Sequence, residues 1–416
     1  MSKQEMITNN LIYSVPSAST LAIQKNDQKN YFDQRNYTAG QTIRTTFQTG
    51  SKYIDVLNSQ LCFDLVCSNV TGSVPSFGAA SALSLIKNVR VYSSSGTELC
   101  NIQNHNVAQM IEDKAGKPKK WFDTTGSLMA YDDSNAPNGN GTALPNNRYA
   151  DVINAGTTEI QIPLSSIAPI FNPLGKQLMP STFAGLVLEI DLATDAEAIV
   201  RTGGASNNTL ELRDIYLNLS CTTLSDNAIA SLNDVAGKQL LEYSYIDCYT
   251  SRLTQSAQNQ VVSTSINKAV GFADHIVACE VLQSVRNSQT SDEFSLASDS
   301  VEYQFTLGSV QLPSQQFVKG PRLAYKQLLK TYNEYREDSE GSSLGYLNFN
   351  TNCAAKTCSF SKDQMMAMSL MPVNSAQSLR YEQKYATAPT QARTIFVFLY
   401  YLKVLSCSLT DISVNM

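Results

Sequence analysis

Alternation of apolar and polar side chains with a period of two constrains the fold of this chain more than any other feature. The segments 186–192 and 301–307 each place an apolar residue at every second position. Successive side chains of a β-strand point to opposite faces of a sheet, so both segments are predicted to be half-buried strands. Ten further strands are predicted at 41–48, 53–66, 84–93, 158–164, 240–249, 259–267, 275–283, 377–386, 393–406 and 408–415. The chain is therefore predicted to be mainly β.

One predicted strand, 210–219, changes the parity of its apolar residues partway along. Leu210 and Leu212 share one parity, whereas the apolar residues of Ile215–Leu219 have the other. A β-bulge adds one residue to a strand, so a bulge at 213–214 would keep both groups pointing inward. We predict a bulge there.

Helices are predicted in three places. After Pro321, apolar and aromatic residues recur at spacings of three and four as far as Tyr335. A shorter helix is predicted from His105 to Lys114. A third is predicted over 225–235, with Ser225 or Asp226 as its N-cap.

The third helix separates two strand-rich regions of similar size. A chain of 416 residues is expected to form about two domains. We predict an N-terminal arm at 1–35, a first jelly roll at 36–224, a helical connector at 225–237 and a second jelly roll at 238–416. The predicted fold class is all-β: two consecutive eight-stranded jelly-roll β-sandwiches (a double jelly roll) with a few short helices. The order of elements is similar in the two halves, so duplication is a hypothesis.

The polar region from Gly116 to Gly156 is too long for a simple connection between strands. Long loops on a rigid sandwich usually serve contact or display. Asp132 and Asp133 begin an acidic stretch that ends at Gly141, but Pro137 stands where an EF-hand would need an oxygen ligand. A calcium-binding EF-hand is therefore not predicted, and whether the Asp132–Gly141 loop binds an ion stays open.

The charge balance argues against a protein that coats nucleic acid. The formal net charge is −5, and phosphate neutralisation needs clustered Lys and Arg. The densest basic run is Lys114, Lys117, Lys119 and Lys120, next to Trp121. It is predicted to be a solvated loop, with a phosphate or partner contact as the alternative. No direct sequence-specific nucleic acid binding is expected.

Neither a secretory signal nor a membrane helix is predicted. The longest uninterrupted apolar run, Ile395–Leu402, has eight residues, whereas a membrane-spanning helix needs about 20. Its β-branched and aromatic residues predict a buried strand. The nine cysteines form an odd, scattered set, which favours free thiols in a reducing compartment.

Catalytic and metal-binding patterns are weak. The two histidines, His105 and His275, have no cysteine or carboxylate at metal-ligand spacing, so both are predicted to be structural. Two cysteine pairs have C-x4-C spacing, which places the members of each pair on opposite faces of a strand and argues against zinc. These pairs are Cys62 with Cys67 and Cys353 with Cys358.

The segment Gly341–Gly345 matches the G-x-S-x-G pattern of a nucleophile elbow. That elbow lies between a strand and a helix and has its histidine later in the chain. Here a predicted helix precedes the motif, and both histidines lie upstream. The match is interpreted as accidental. No enzyme, catalytic residue, cofactor or metal is predicted.

Several segments resemble one family of viral proteins. They are the strand segments Tyr53–Leu61 and Leu85–Tyr92, the loop-to-strand passage from Ile162 to Ile190, and Leu307–Pro313 followed by a helix. Together they resemble the double jelly-roll major capsid proteins of tailless icosahedral DNA viruses, especially those of polinton-like viruses and virophages. The resemblance extends from about Thr42 to the C-terminus.

The resemblance implies a structural major capsid protein that forms homotrimeric, pseudo-hexagonal capsomers of an icosahedral virion shell. It implies contacts with neighbouring capsomers, with penton and minor capsid proteins, and with an inner membrane or internal protein layer. Assembly inside the host cell and an arm at the inner side of the shell are also implied. A low charged fraction of 16%, against about 25% in average proteins, agrees with surfaces that meet other subunits.

Two other classes are compatible with two β-sandwiches. The first is a viral spike or lectin-like binding protein, for which Tyr131 and Tyr149 in the long loop give a weak indication. The second is a carbohydrate-active enzyme, whose paired carboxylates come together only in space.

Overall fold

The structure is a computed structural model of the whole chain. It describes residues 22–68, 74–77, 81–130, 157–175, 178–202, 208–230, 232, 241–282, 300–313, 317–332, 344–346, 349–350, 354–360, 371–373, 378–407 and 412–415.

Strands dominate both halves. Those of the first half are β1 (Ala22–Tyr31), β2 (Tyr37–Thr38), β3 (Thr42–Thr46), β4 (Tyr53–Ser68), β5 (Val74–Phe77), β6 (Ile86–Tyr92), β7 (Glu98–Gln103), β8 (Thr157–Pro163), β9 (Val187–Leu192), β10 (Ile199–Thr202) and β11 (Thr209–Leu224). Those of the second half are β12 (Leu241–Gln255), β13 (Val261–Ile266), β14 (Val270–Leu282), β15 (Ser300–Leu307), β16 (Val310–Leu312), β17 (Val318–Lys319), β18 (Lys356–Ser359), β19 (Met371–Val373), β20 (Leu379–Tyr385), β21 (Arg393–Cys407) and β22 (Ile412–Asn415).

The helices of the described residues are short. They are α1 (His105–Gly116), α2 (Lys119–Trp121), α3 (Leu164–Ile167), α4 (Asp195–Ala198), α5 (226–230) and α6 (Pro321–Thr331). Single turns of 3₁₀-helix lie at Ala82–Leu85, Pro169–Phe171 and Ser181–Phe183, and a π-helical turn lies at Phe122–Gly126.

The two halves have the same strand order. In the first, β1-β11-β4-β8 form one sheet (the β11 sheet) and β3-β9-β6-β7 form the other (the β9 sheet). In the second, β12-β21-β14-β18 form the β21 sheet and β13-β20-β15-β16 form the β20 sheet. Within each set of eight strands, the first, eighth, third and sixth pair in one sheet, and the second, seventh, fourth and fifth pair in the other. This is the jelly-roll order, and its repetition agrees with the duplication hypothesis.

Strand positions predicted from periodicity are confirmed. The segments predicted at 53–66, 158–164, 259–267 and 393–406 are β4, β8, β13 and β21. The bulge in β11 is also confirmed, because its register with β4 shifts between Arg213 and Tyr216. Asp214 there has a φ of 49°, a backbone conformation that Asp tolerates better than most residues. The fold class is therefore mainly antiparallel β with a few short helices, as predicted.

The predicted arm at 1–35 was wrong in extent, because β1 lies inside it. Ala22–Tyr31 pairs with β11 over most of its length. The buried Asn30 side chain also ties β1 to the other sheet, since its Nδ2 donates to Thr45 Oγ1 at 2.7 Å and to the Thr46 carbonyl at 2.9 Å. Polar residues dominate this strand, which hid it from a search for apolar alternation. Only residues 1–21 stay available for an arm, and they lie outside the described residues.

The predicted connector is helical where it is described. Ser225 acts as the N-cap, since its Oγ accepts a hydrogen bond from the Ala228 backbone N–H at 3.3 Å. Residues 226–230 follow in helical conformation. The paired strands before this segment form the β11 sheet, the β9 sheet and a two-stranded sheet of β5 and β10, and those after it form the β21 and β20 sheets.

The position of β1 gives a truncation test. Deletion of residues 1–31 removes an edge strand and exposes the backbone edge of β11, which promotes aggregation. We expect this truncation to lower the melting temperature and the soluble yield, whereas deletion of residues 1–21 leaves both near those of the full chain. Equal melting curves for the two truncations would contradict the assignment of β1 to the sandwich.

Candidate functional site

The central strand of the second sandwich is buried on both faces. Every residue from Arg393 to Tyr401 is buried. Ile395, Val397 and Leu399 contribute to the core between the β21 and β20 sheets. Phe396 and Phe398 belong instead to a second cluster that contains the core of the first sandwich. The apolar run that was predicted to be a buried strand is thus confirmed, and its outer face forms part of an interface within the chain.

Carbonyl groups of the first sandwich accept hydrogen bonds from β12. Tyr243 donates its hydroxyl to the Ile170 carbonyl at 2.7 Å, and Tyr245 donates to the Leu99 carbonyl at 2.5 Å. Thr250 Oγ1 donates to the Gln103 carbonyl at 2.8 Å. A buried tyrosine hydroxyl needs such a partner, so these contacts fix how β12 lies along β7 and the 3₁₀ turn at Pro169–Phe171.

A buried ion pair lies at the centre of this interface. Lys403 Nζ is 3.1 Å from Asp247 Oδ2 and donates to the Leu99 carbonyl at 2.6 Å. The same carboxylate accepts hydrogen bonds from the Tyr401 hydroxyl at 2.9 Å and the Cys248 backbone N–H at 3.0 Å. Both charged side chains are at most 6% exposed. The ion pair therefore joins β12 and β21 of the second sandwich to β7 of the first.

The ion pair gives a stability test. Lys403→Met leaves the Asp247 carboxylate buried without its cation, which in other proteins costs about 3–5 kcal/mol. We expect a loss of that size in the free energy of unfolding, measured by urea denaturation. The double variant Lys403→Met/Asp247→Asn should lose less, because no unpaired charge remains in the interface.

The surface pair of Arg213 and Glu211, 2.7 Å apart, is the matched control. Because both side chains are well exposed, Arg213→Met should change the free energy of unfolding far less than Lys403→Met. Equal losses for the two substitutions would contradict the role of the buried pair.

His275 forms an ion pair that crosses from one sandwich to the other. Its Nδ1 lies 2.9 Å from Asp274 Oδ2, and its Nε2 lies 3.3 Å from Glu112 Oε1 on α1 of the first sandwich. The Tyr332 hydroxyl donates to the same Glu112 oxygen at 2.5 Å, and the Tyr400 ring stacks on His275 with centroids 4.2 Å apart. Burial lowers the pKa of His275, but its hydrogen bonds to Asp274 and Glu112 outweigh burial and raise the pKa to about 9.

The two histidines differ in charge. His105 is buried in α1, and burial lowers its pKa to about 4, so it is neutral at pH 7. Its Nδ1 has no hydrogen-bond partner among the described residues. His275 is cationic at pH 7. Both side chains are buried, and the ion pair of His275 across the interface was not predicted.

The pH dependence of stability separates these histidines. A folded pKa of about 9 for His275 lies above its usual value of 6.5. Its stabilising contribution is therefore complete below pH 6.5 and is lost as pH rises through 9. The stability difference between the wild type and His275→Gln should shrink over this range by on the order of 3 kcal/mol. His105→Gln is the control: its difference should stay flat there, and a flat difference for His275→Gln would contradict the ion pair.

A third buried charge cluster lies inside the second sandwich. The Glu280 carboxylate accepts hydrogen bonds from Lys356, from the Tyr385 hydroxyl at 2.7 Å and from Arg393 Nη1 at 3.1 Å. Gln383 Nε2 donates to the same group at 2.5 Å. Burial raises the pKa of Glu280, but Lys356 and these donors lower it more, so the carboxylate is ionised. The cluster contains one acidic side chain, Glu280, and two basic ones, Lys356 and Arg393, all of them buried. We interpret it as part of the packing of the second sandwich.

The basic run, predicted to be a loop, is instead helical at Lys114 in α1 and at Lys119 and Lys120 in α2. Lys117 Nζ lies 5.5 Å from the Trp121 ring centre, a cation–π contact within the basic run. Within the part of the chain that the structure describes, eight cysteines are buried and form no disulfide, and no three His, Cys, Asp or Glu side chains form a metal-binding group. No helix in that part is long and apolar enough to cross a membrane.

Other predicted positions lie outside the described residues. They are Gly341–Ser343 of the G-x-S-x-G motif, Cys353, the Asp132–Gly141 loop, Tyr131 and Tyr149.

Comparison with known proteins shows the fold. No protein-family model matches the chain, and no curated protein matches it. The Faustovirus major capsid protein matches with a TM-score of 0.64 at 9% identity, covering 98% of this chain and 94% of that one. The PBCV-1 virus capsid matches with a TM-score of 0.60 at 12% identity, covering 94% and 96%. The Sputnik virophage structure matches with a TM-score of 0.58 at 14% identity, covering 97% and 90%. The chain thus has the double jelly-roll fold over nearly its whole length, as predicted.

Proposed function

We propose that this chain is a structural major capsid protein that forms pseudo-hexagonal trimeric capsomers of an icosahedral virion shell. The observation that carries the proposal is the repetition of one jelly roll in a single chain, with the two copies joined by a desolvated interface. A shell subunit contacts neighbours on several edges, so its two sandwiches must keep a fixed orientation relative to each other. The hydrogen bond from Lys403 to the Leu99 carbonyl and the His275–Glu112 pair both oppose movement between the sandwiches. The Faustovirus protein with this architecture is itself a major capsid protein.

The composition supports a protein with extensive subunit contacts. The cores of protein interfaces are depleted in charge, and this chain has only 16% charged residues. Its partners in this proposal are two further copies in the trimer, neighbouring capsomers, penton and minor capsid proteins, and an inner membrane or internal protein layer. The chain would act in the virion shell, after assembly inside the host cell, and without enzymatic activity.

The domain division is part of the proposal, with one boundary moved. We infer an arm at 1–21, a first jelly roll at 22–224, a connector at 225–237 and a second jelly roll at 238–416. The new arm boundary follows from the pairing of β1 with β11. The arm is assigned to the inner side of the shell or to contacts between capsomers.

The oligomeric state tests the proposed function. Native mass spectrometry of the purified chain should give about three times the monomer mass of 45.5 kDa, and negative-stain images should have hexagonal outlines. The alternative, a binding protein built from two β-sandwiches, predicts no particle with a hexagonal outline. A species that stays monomeric at high protein concentration would contradict the capsid proposal.

A further inference from the structure

The central strands of the two equivalent sheets differ in what covers their outer faces. β21 is buried on both faces, as described above. β11 alternates instead between buried core residues and partly exposed outer residues. The outer residues of β11 align with those of β1, since Tyr216 pairs with Tyr31 and Asn218 pairs with Lys29. Among the described residues, the second sheet thus has a covered outer face, whereas the first sheet has an open one.

Part of the open face carries side chains of types that are common in protein interfaces. Tyr31 is 52% exposed, and its ring lies 6.1 Å from that of Tyr216. Lys29 Nζ lies 4.2 Å above the Tyr216 ring, and the Arg35 guanidinium lies 5.6 Å from the Tyr31 ring. Tyrosine and arginine are enriched where proteins bind one another. We call these four residues the tyrosine patch.

The intrachain interface indicates which elements cover such a face. The first sandwich contributes its fifth strand, β7, and the helix that follows it, α1. In β7, Leu99 and Cys100 are fully buried, and the Cys100 thiol donates to Asp247 of the second sandwich. In α1, Glu112 pairs with His275 of the second sandwich. The fifth strand of the second sandwich is β16, and α6 is the helix that follows it.

The second sandwich keeps apolar side chains exposed at those equivalent elements. Val310 in β16 is 40% exposed, and Leu323 in α6 is 51% exposed. Within one chain, β7 and α1 cover the outer face of the β21 sheet. The equivalent elements β16 and α6, and the outer face of the β11 sheet, stay open. The open pair comprises the tyrosine patch on the first sandwich and the Val310 and Leu323 surface on the second.

We propose that the tyrosine patch of one copy is covered by the Val310 and Leu323 surface of a second copy. The two surfaces that meet are different, so the contact is heterologous. Successive copies add through the same contact until they close into a ring. In such a ring each sandwich contacts its neighbours in a similar way, whether they belong to the same chain or to the next. The inference rests on the proposed function for the number of copies, but the identity of the two surfaces comes from the burial pattern.

Substitutions on both surfaces test the contact by native mass spectrometry. Tyr31→Glu/Tyr216→Glu should convert the wild-type oligomer to monomers at the same protein concentration, and so should Val310→Glu/Leu323→Glu. The control is Val261→Glu/Phe272→Glu, which alters residues that are 53% and 52% exposed on other strands. The control should stay oligomeric, and circular dichroism and melting curves establish that each variant is folded.

The outcomes separate the two proposals. An oligomeric wild type whose two surface variants also stay oligomeric would overturn the assignment of these surfaces and leave the capsid proposal standing. A control that dissociates as readily as they do would overturn the assignment as well. A monomeric wild type would overturn both proposals.

A cross-linking experiment tests the same contact without relying on destabilising variants. Tyr31→Cys/Val310→Cys treated with a short bismaleimide should give covalent dimers and trimers on a denaturing gel, because the two cysteines come from different copies. The native cysteines among the described residues are buried, which limits their reaction. Tyr31→Cys/Val261→Cys is the control and should stay at the monomer position. Absence of covalent oligomers from Tyr31→Cys/Val310→Cys would overturn the proposal.

Discussion

The desolvated interface between the sandwiches is the constraint on which the rest of this structure depends. A sheet that is buried on both faces must satisfy every polar group on both sides, because water is excluded from each. Asp247 meets that requirement with three donors in addition to Lys403, and Lys403 reaches across to the Leu99 carbonyl. Such contacts are directional, so they define how one sandwich lies against the other. Apolar packing by Phe396 and Phe398 alone would allow several orientations.

The fold was largely predictable because its signals are local. Strand periodicity located β4, β8, β13 and β21, and a parity change located the bulge in β11. The uninterrupted apolar run in β21 even indicated that both faces of this strand are buried. β1 was not predicted because its sequence is polar, with Lys25, Asp27 and Lys29 on one face and the buried Asn30 on the other. It forms a strand because it pairs with the edge of β11, which is an interaction between segments far apart in the sequence.

The charged contacts were not predictable because their partners are distant in sequence. Asp247 and Lys403 lie 156 residues apart, and His275 lies 163 residues from Glu112. No spacing rule connects such residues, and each one taken alone would be assigned to a solvated surface. One local signal was available for Lys403. It lies within the long apolar strand β21, where a charged residue is buried only if it is paired.

The low charge of the chain has a more specific meaning once the buried charges are located. Among the described residues, Asp113, Asp247, Glu280, Lys356, Arg393 and Lys403 are buried. The chain has only 16% charged residues, and these six do not contribute to its outer surface. Covering that surface with another copy displaces few hydrated charges, which keeps the desolvation cost of association low. The same sequence thus buries part of its charge within and between the two sandwiches, while its low charged fraction suits its exterior to contact with further sandwiches.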